Sequence, residues 1–214
     1  MSIENINKIQ EEIKRLNSNA KLLVVTKNQS IEKIKDILNA GIKYIGENKW
    51  QEFKKKFLNY KNNQIKFHFI GSLQTNKVKE VIKYFDCIQS INSLRLAKKI
   101  DSECKKINKI MPVMIEINIS YDQNKSGIIP KYLESLIKEI NLLKNIKLIG
   151  FMTITAQEDQ EKTREDFKAM KKIFDQYKDQ YNLSELSMGM SNDYKIALEE
   201  GATMVRLGSI IFNF

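Results

Sequence analysis

Residues 21–27, KLLVVTK, run five apolar or β-branched side chains into a single amine, and the polar Asn28, Gln29 and Ser30 follow. In α/β folds the C-terminal ends of parallel strands are where ligands bind, so an amine at such an exit is a candidate nucleophile toward a carbonyl. Taken alone, Lys27 is most simply a surface lysine in a lysine-rich chain. Two later stretches change its weight. In SMGMSND, residues 187–193, an apolar strand breaks at Gly189 and a helix is expected to begin near Ser191. That would leave backbone N–H groups and a hydroxyl facing outward, the donor set that receives an anion. An N-cap role alone would explain Ser191 about as well. In VRLGS, Gly208 and Ser209 offer a second donor loop, as in barrel phosphate sites built after the seventh and eighth strands. Arg206 precedes them, and a buried guanidinium needs a specific acceptor.

Chemistry at a rim requires elements that bring the rim together. Apolar periodicity alternates short strands with amphipathic helices along the whole chain. Helices are predicted over residues 3–17, 31–39, 47–58, 76–84, 93–107, 130–144, 159–181 and 191–200. Strands are predicted over residues 22–26, 42–45, 65–70, 86–91, 113–119, 147–153, 183–188 and 203–207. Eight strand–helix units with short loops describe a single (β/α)8 TIM barrel carrying an extra N-terminal helix, one domain over residues 1–214. An open doubly wound sheet is the alternative, but its dinucleotide loop is missing, since KNQS without glycine follows the first strand. In a barrel, Asn48, His68 and Met152 join Lys27 at or near the C-terminal ends of strands. Each also has an ordinary role open to it: a helix cap, a satisfied core histidine and simple packing.

Composition narrows the classes. At 42% hydrophobic and 29% charged residues the chain reads as an ordinary globular protein. No apolar run reaches the roughly 20 residues of a membrane span, and the charged amphipathic N-terminus lacks a signal-peptide core, so a cytoplasmic location is expected. Cys87 and Cys104 lack metal-ligand or CxxC spacing and are expected to be reduced and packed. A net charge of +10 invites a nucleic-acid reading. The basic residues, however, are almost all lysine and alternate with Glu and Asp, as in EEIKR and KVKEVIK, the pattern of solvated helix faces. This argues against a nucleic-acid partner.

LLVVTK, IGEN, HFIGSLQTNK, INIS with NKSG, GFMTI, LSMGMSND and MVRLGSIIF follow one another along nearly the whole chain. In that order they resemble the pyridoxal phosphate homeostasis protein family, the YggS and PROSC group. The resemblance implies a fold-type III barrel, similar to the N-terminal domain of alanine racemase. It implies pyridoxal 5'-phosphate as cofactor, held as a Schiff base on Lys27. It further implies that Ser191, Gly208 and Ser209 bind the phosphate, that Arg206 faces the pyridine nitrogen, and that Asn48, His68 and Met152 line the pocket. A Schiff base requires a neutral amine, which desolvation and the charge of Arg206 would favour. A guanidinium cannot act as acceptor, so the ring nitrogen opposite it stays unprotonated and the cofactor is a blunted electron sink.

Alanine racemases add a C-terminal β domain supplying a second acid/base. Here the eighth predicted strand ends at residue 207 and no second domain is expected. The implied function is therefore vitamin B6 homeostasis: reversible holding of the cofactor and its carriage to pyridoxal phosphate-dependent apo-enzymes, without efficient catalysis. The alternative is a small pyridoxal phosphate-dependent amino-acid racemase using Lys27 and His68 as bases. The sequence fits a monomer or a homodimer. It departs from the family where IIFNF replaces the usual IFG at the C-terminus.

Overall fold

The computed structural model describes residues 3–60, 64–155 and 159–212. Asn213 and Phe214, where the chain departs from its family's usual ending, lie outside the described residues. Strands β1 (Lys21–Val25), β2 (Tyr44–Glu47), β3 (Lys66–Phe69), β4 (Cys87–Ile91), β5 (Met111–Glu116), β6 (Ile146–Met152), β7 (Glu185–Ser187) and β8 (Met204–Leu207) form a closed barrel in sequence order. All neighbours are parallel, and β8 closes against β1 with Leu23 beside Arg206 and Val24 beside Leu207.

Around the barrel lie α2 (Ile31–Asn39), α3 (Trp50–Phe57), α4 (Val78–Tyr84), α5 (Leu94–Lys106), α6 (Leu133–Asn141), α7 (Gln160–Tyr181) and α8 (Tyr194–Glu199). The extra N-terminal helix α1 (Ile3–Leu16) and a last turn, α9 (Ser209–Phe212), complete the chain.

Capping fixes several of these helices where the sequence asks for it. Ser30, Ser93 and Asp159 each accept an amide of the following turn, at 3.5, 3.4 and 3.1 Å. Helix α7 ends where Asn182 turns left-handed at φ 52°. The two-residue period of the strands sorts their side chains into two cores. Leu22 and Val24 pack with the helices in the large outer cluster. Leu23 and Val25 point into the barrel with Met204, and Cys87, Met114 and Met152 form a second interior cluster. Both cysteines are free thiols and buried, and burial pushes both thiols up.

Two boundaries differ from the sequence reading in a way that bears on the rim. Glu47, expected to open a helix, is the last residue of β2 and fully buried, because it pairs with Lys56 and accepts a hydrogen bond from Thr26. The helix expected from Ser191 begins at Tyr194. Residues 190–193 close a tight turn first: the Asp193 and Tyr194 amides bond the Met190 carbonyl at 3.1 and 2.9 Å, and Asp193 Oδ1 accepts the Met190 amide at 2.5 Å. Among the described residues no helix is long and apolar enough to cross a membrane.

Candidate functional site

The barrel register brings seven of the eight sequence-predicted residues to one end of the barrel, all but His68. Arg206 lies in β8 and Gly208 directly follows it, Lys27 lies two residues past β1, and Asn48 directly follows β2, so three adjacent strands carry them. The close approach of β8 to β1 is what Gly208 permits, since a Cβ there would meet the Val25 carbonyl oxygen at 3.3 Å. Ser191 ties the β7 loop to the β8 loop: its hydroxyl accepts the amides of Gly208 and Ile210, both at 3.3 Å. These are long bonds, so the donors are held only weakly. The amides of Ser191, Asn192 and Ser209 donate to no group among the described residues. Helix α8 has only six residues. The donor set is thus the β7 loop together with the residues that open the short last turn, α9.

Gly189, at φ 91°, makes the β7 loop possible, because a Cβ there would sit 2.5 Å from that of Ala197. Asn48 leaves its Oδ1 buried without a partner among the described residues. Lys27 is exposed. The desolvation expected around its amine is therefore not supplied by the protein alone.

Arg206 is 4% exposed and fully engaged on one side: it donates to Ser187 Oγ and to the Thr153 carbonyl, each at 2.7 Å. Burial opposes its charge and lowers its pKa to about 10, still well above neutrality. Because guanidinium is only a donor, this contact dictates a chain of assignments. Ser187 Oγ accepts from Arg206 and so gives its proton to Gln89 Oε1 at 2.8 Å. Gln89 then turns its Nε2 to His68 Nδ1 at 2.8 Å, which must accept. His68 is a neutral imidazole with its proton on Nε2. Burial, which lowers its pKa to about 4, agrees.

His68 is the residue that the structure places away from this rim. His68 pairs in register with Gly46 and Cys87 inside the barrel, packs edge-on against Tyr44 with ring centroids 5.6 Å apart, and faces the opposite mouth. There it lines a cavity of about 290 Å³ with Lys21, Asp86, Cys87 and Glu185. His68 takes the ordinary role that sequence left open to it, a satisfied core histidine. Met152 ends β6, level with Glu116, and is fully buried beside Cys87 and Met114.

Residues that sequence reasoning passed over complete the site. Glu116, at the end of β5 in register with Met152, is buried, and burial raises its carboxyl to about 7 although the Arg206 charge pulls the other way. Its signal was the alternation Met114, Glu116, Asn118, which puts all three on one face. Gln89 and Ser187 were visible only as polar residues inside apolar strands. A buried cationic donor, an orphaned amide oxygen, two donor loops spaced by glycine and an amine at the neighbouring strand end fit a phosphorylated aromatic aldehyde.

Comparisons with known proteins agree with this architecture. Residues 3–213 match the family described as alanine racemase, N-terminal domain. A pyridoxal phosphate homeostasis protein of Aquifex aeolicus is 39% identical over 99% of this chain and 94% of its own. PipY of Synechococcus elongatus superposes with a TM-score of 0.92 without PLP, at 27% identity over 99% of this chain and all of PipY. With PLP bound the values are 0.87 and 25%, over 98% of this chain and 99% of PipY. An alanine racemase of Clostridium difficile shares the fold, with a TM-score of 0.75 at 20% identity, over 98% of this chain but 56% of the racemase. The chain belongs to the alanine racemase N-terminal domain family and, within it, to the pyridoxal phosphate homeostasis proteins.

Proposed function

We propose that the chain binds pyridoxal 5'-phosphate on Lys27 and serves in cytoplasmic vitamin B6 homeostasis, holding the cofactor and releasing it to apo-enzymes, without efficient catalysis. The observation that carries this reading is the convergence of Lys27, Arg206 and the two donor loops on adjacent strand ends. When bound, the cofactor supplies an aldehyde for a lysine amine and a phosphate for amide donors. The chain's own residues supply the rest. The free amides of Ser191 and Ser209, with the hydroxyl of Ser191, would take the phosphate. Arg206 would offer its remaining guanidinium edge to the ring nitrogen, and Asn48 Oδ1 would accept a donor that no described residue provides.

Absence of efficient turnover is supported by two features. Arg206 keeps its protons and so cannot let the ring nitrogen gain one. His68, the second base of the racemase alternative, is spent on Gln89 below the rim. One observation favours a residual racemase reading: Glu116 has a carboxyl poised near neutrality within the field of Arg206.

Absorption spectra with added pyridoxal phosphate, borohydride reduction and peptide mapping test the binding reading. Label on Lys27 that Lys27→Ala abolishes is expected, and wild type without label overturns it. Amino-acid racemisation at ordinary enzymatic rates, lost in Glu116→Gln, would establish the enzyme instead.

A further inference from the structure

Lys56 lies on α3 with its side chain 11% exposed, and an ammonium carries three donors. All three are used: Nζ donates to the Thr26 carbonyl at 2.6 Å, to Glu47 Oε1 at 2.8 Å and to Glu52 Oε2 at 3.5 Å. The two carboxylates in turn hold the chain on either side of Lys27. Glu47 Oε1 also accepts Thr26 Oγ1–H at 2.5 Å, and Glu52 Oε2 accepts the Asn28 amide at 2.9 Å. Thr26 is further tied by its amide to the Gly46 carbonyl at 3.2 Å, and Asn28 is held left-handed at φ 59°. The exposed Lys27 therefore rises between two pinned residues.

A buried carboxylate and a nearly buried ammonium are costly unless they pair well, and a surface loop does not need them. Here they sit under one residue whose amine must meet a carbonyl. We propose that Lys56, Glu47 and Glu52 are positioning residues that clamp the main chain before and after Lys27 and so present its amine for carbonyl capture. The functional half of this inference rests on the reading of Lys27 as the cofactor-binding amine; the clamp itself does not. In the captured step the amine adds to the aldehyde carbon and the carbonyl oxygen leaves as water. No redox partner is needed. A fixed backbone raises the rate by prepaying orientation. Phosphate recognition, built from the loops after β7 and β8, takes no group from Lys56, Glu47 or Glu52.

The test uses the full chain with Lys56→Met, Glu52→Gln and the conservative Lys56→Arg. Capture of pyridoxal phosphate is followed by absorbance. Pyridoxine 5'-phosphate, which has the phosphate but an alcohol in place of the aldehyde, reports anchoring alone. Expected are at least a tenfold slower capture in Lys56→Met, a smaller loss in Glu52→Gln, substantial rescue in Lys56→Arg, and pyridoxine phosphate affinity within twofold of wild type throughout. Amide hydrogen exchange in unliganded protein should accelerate at least tenfold over residues 26–29 in Lys56→Met while β4 and β5 stay protected. Wild-type capture and exchange in both Lys56→Met and Glu52→Gln would overturn the proposal. So would parallel loss of both ligands with exchange rising everywhere, which marks general destabilisation. Wild type that captures nothing on Lys27 defeats the functional reading, while exchange over residues 26–29 still judges the clamp.

Discussion

Gln89→Met probes the polar column that runs through the barrel from Arg206 to His68. Gln89 is fully buried and similar in length to methionine, so the substitution deletes hydrogen bonds with little change of volume. Two partners lose their complement: Ser187 Oγ–H, 2.8 Å from Gln89 Oε1, and His68 Nδ1, 2.8 Å from Gln89 Nε2. Each buried group left unsatisfied costs about 1–3 kcal/mol, so about 2–6 kcal/mol is at stake. The apolar surface of methionine offsets part of it, leaving about 2–4 kcal/mol.

Urea unfolding, followed by circular dichroism and the single tryptophan Trp50, measures the difference at an unchanged m-value. Removing the stranded acceptor should recover stability, because replacing both partners by apolar groups is far cheaper than replacing one. His68→Phe added to Gln89→Met is therefore expected to cost less than the sum of the single changes by about 1–2 kcal/mol. A loss below about 1 kcal/mol, or a double variant no better than additive, would refute the column as a connected hydrogen-bonded unit.

Two titrating groups should leave opposite marks on stability. Glu116 has a folded pKa of about 7 against an ordinary 4.5, so the folded state holds its proton longer and stability falls as pH rises across that window; Glu116→Gln should remove the fall in pH-dependent denaturation. His68, at about 4 against an ordinary 6.5, binds its proton more readily when unfolded, so stability is lost as pH falls through that interval and His68→Phe should flatten it. Gly189→Ala forces a Cβ to 2.5 Å from Ala197 at a positive φ and is expected to lower stability by about 1–3 kcal/mol in the same urea assay, with weaker phosphate retention. Ser191→Ala, at a partly exposed loop, should leave the melting temperature nearly unchanged while pyridoxine phosphate binding weakens in calorimetry.

The barrel was legible because its two periods are clean. Strands such as LLVV and helices such as IEKIKDILN announce themselves, and their number leaves little choice of closure. The rim set of Lys27, Arg206, Gly208 and Ser209 was legible for the same reason, since it sits at strand ends. Depth along a strand is another matter. Alternation puts His68 inside, but only its register with Gly46 and Cys87 shows that it faces the opposite mouth. Glu47 looked like the start of a helix because GEN precedes one; its burial depends on Lys56, nine residues away on a different element. Ser191 looked like a cap because it follows the break at Gly189, but Asp193, two residues on, accepts the Met190 amide and closes a turn that delays α8.

The join between β7 and β8 is the thinnest in the barrel. Within the two strands only Ser187 and Met204 stand in register, although backbone bonds from Thr203 to Leu186, from Met188 to Met204 and from Arg206 to Gly189 extend the seam. Both donor loops open from the two sides of this stave, and Ser191 is the stitch between them. A bound phosphate drawing donors from each would sew the same stave shut. A barrel carrying its cargo should then breathe less than an empty one, by about 2.7 kcal/mol at a hundredfold excess over the dissociation constant. Proteases that sample open forms would read that difference, so the lifetime of the molecule could itself report how much cofactor surrounds it.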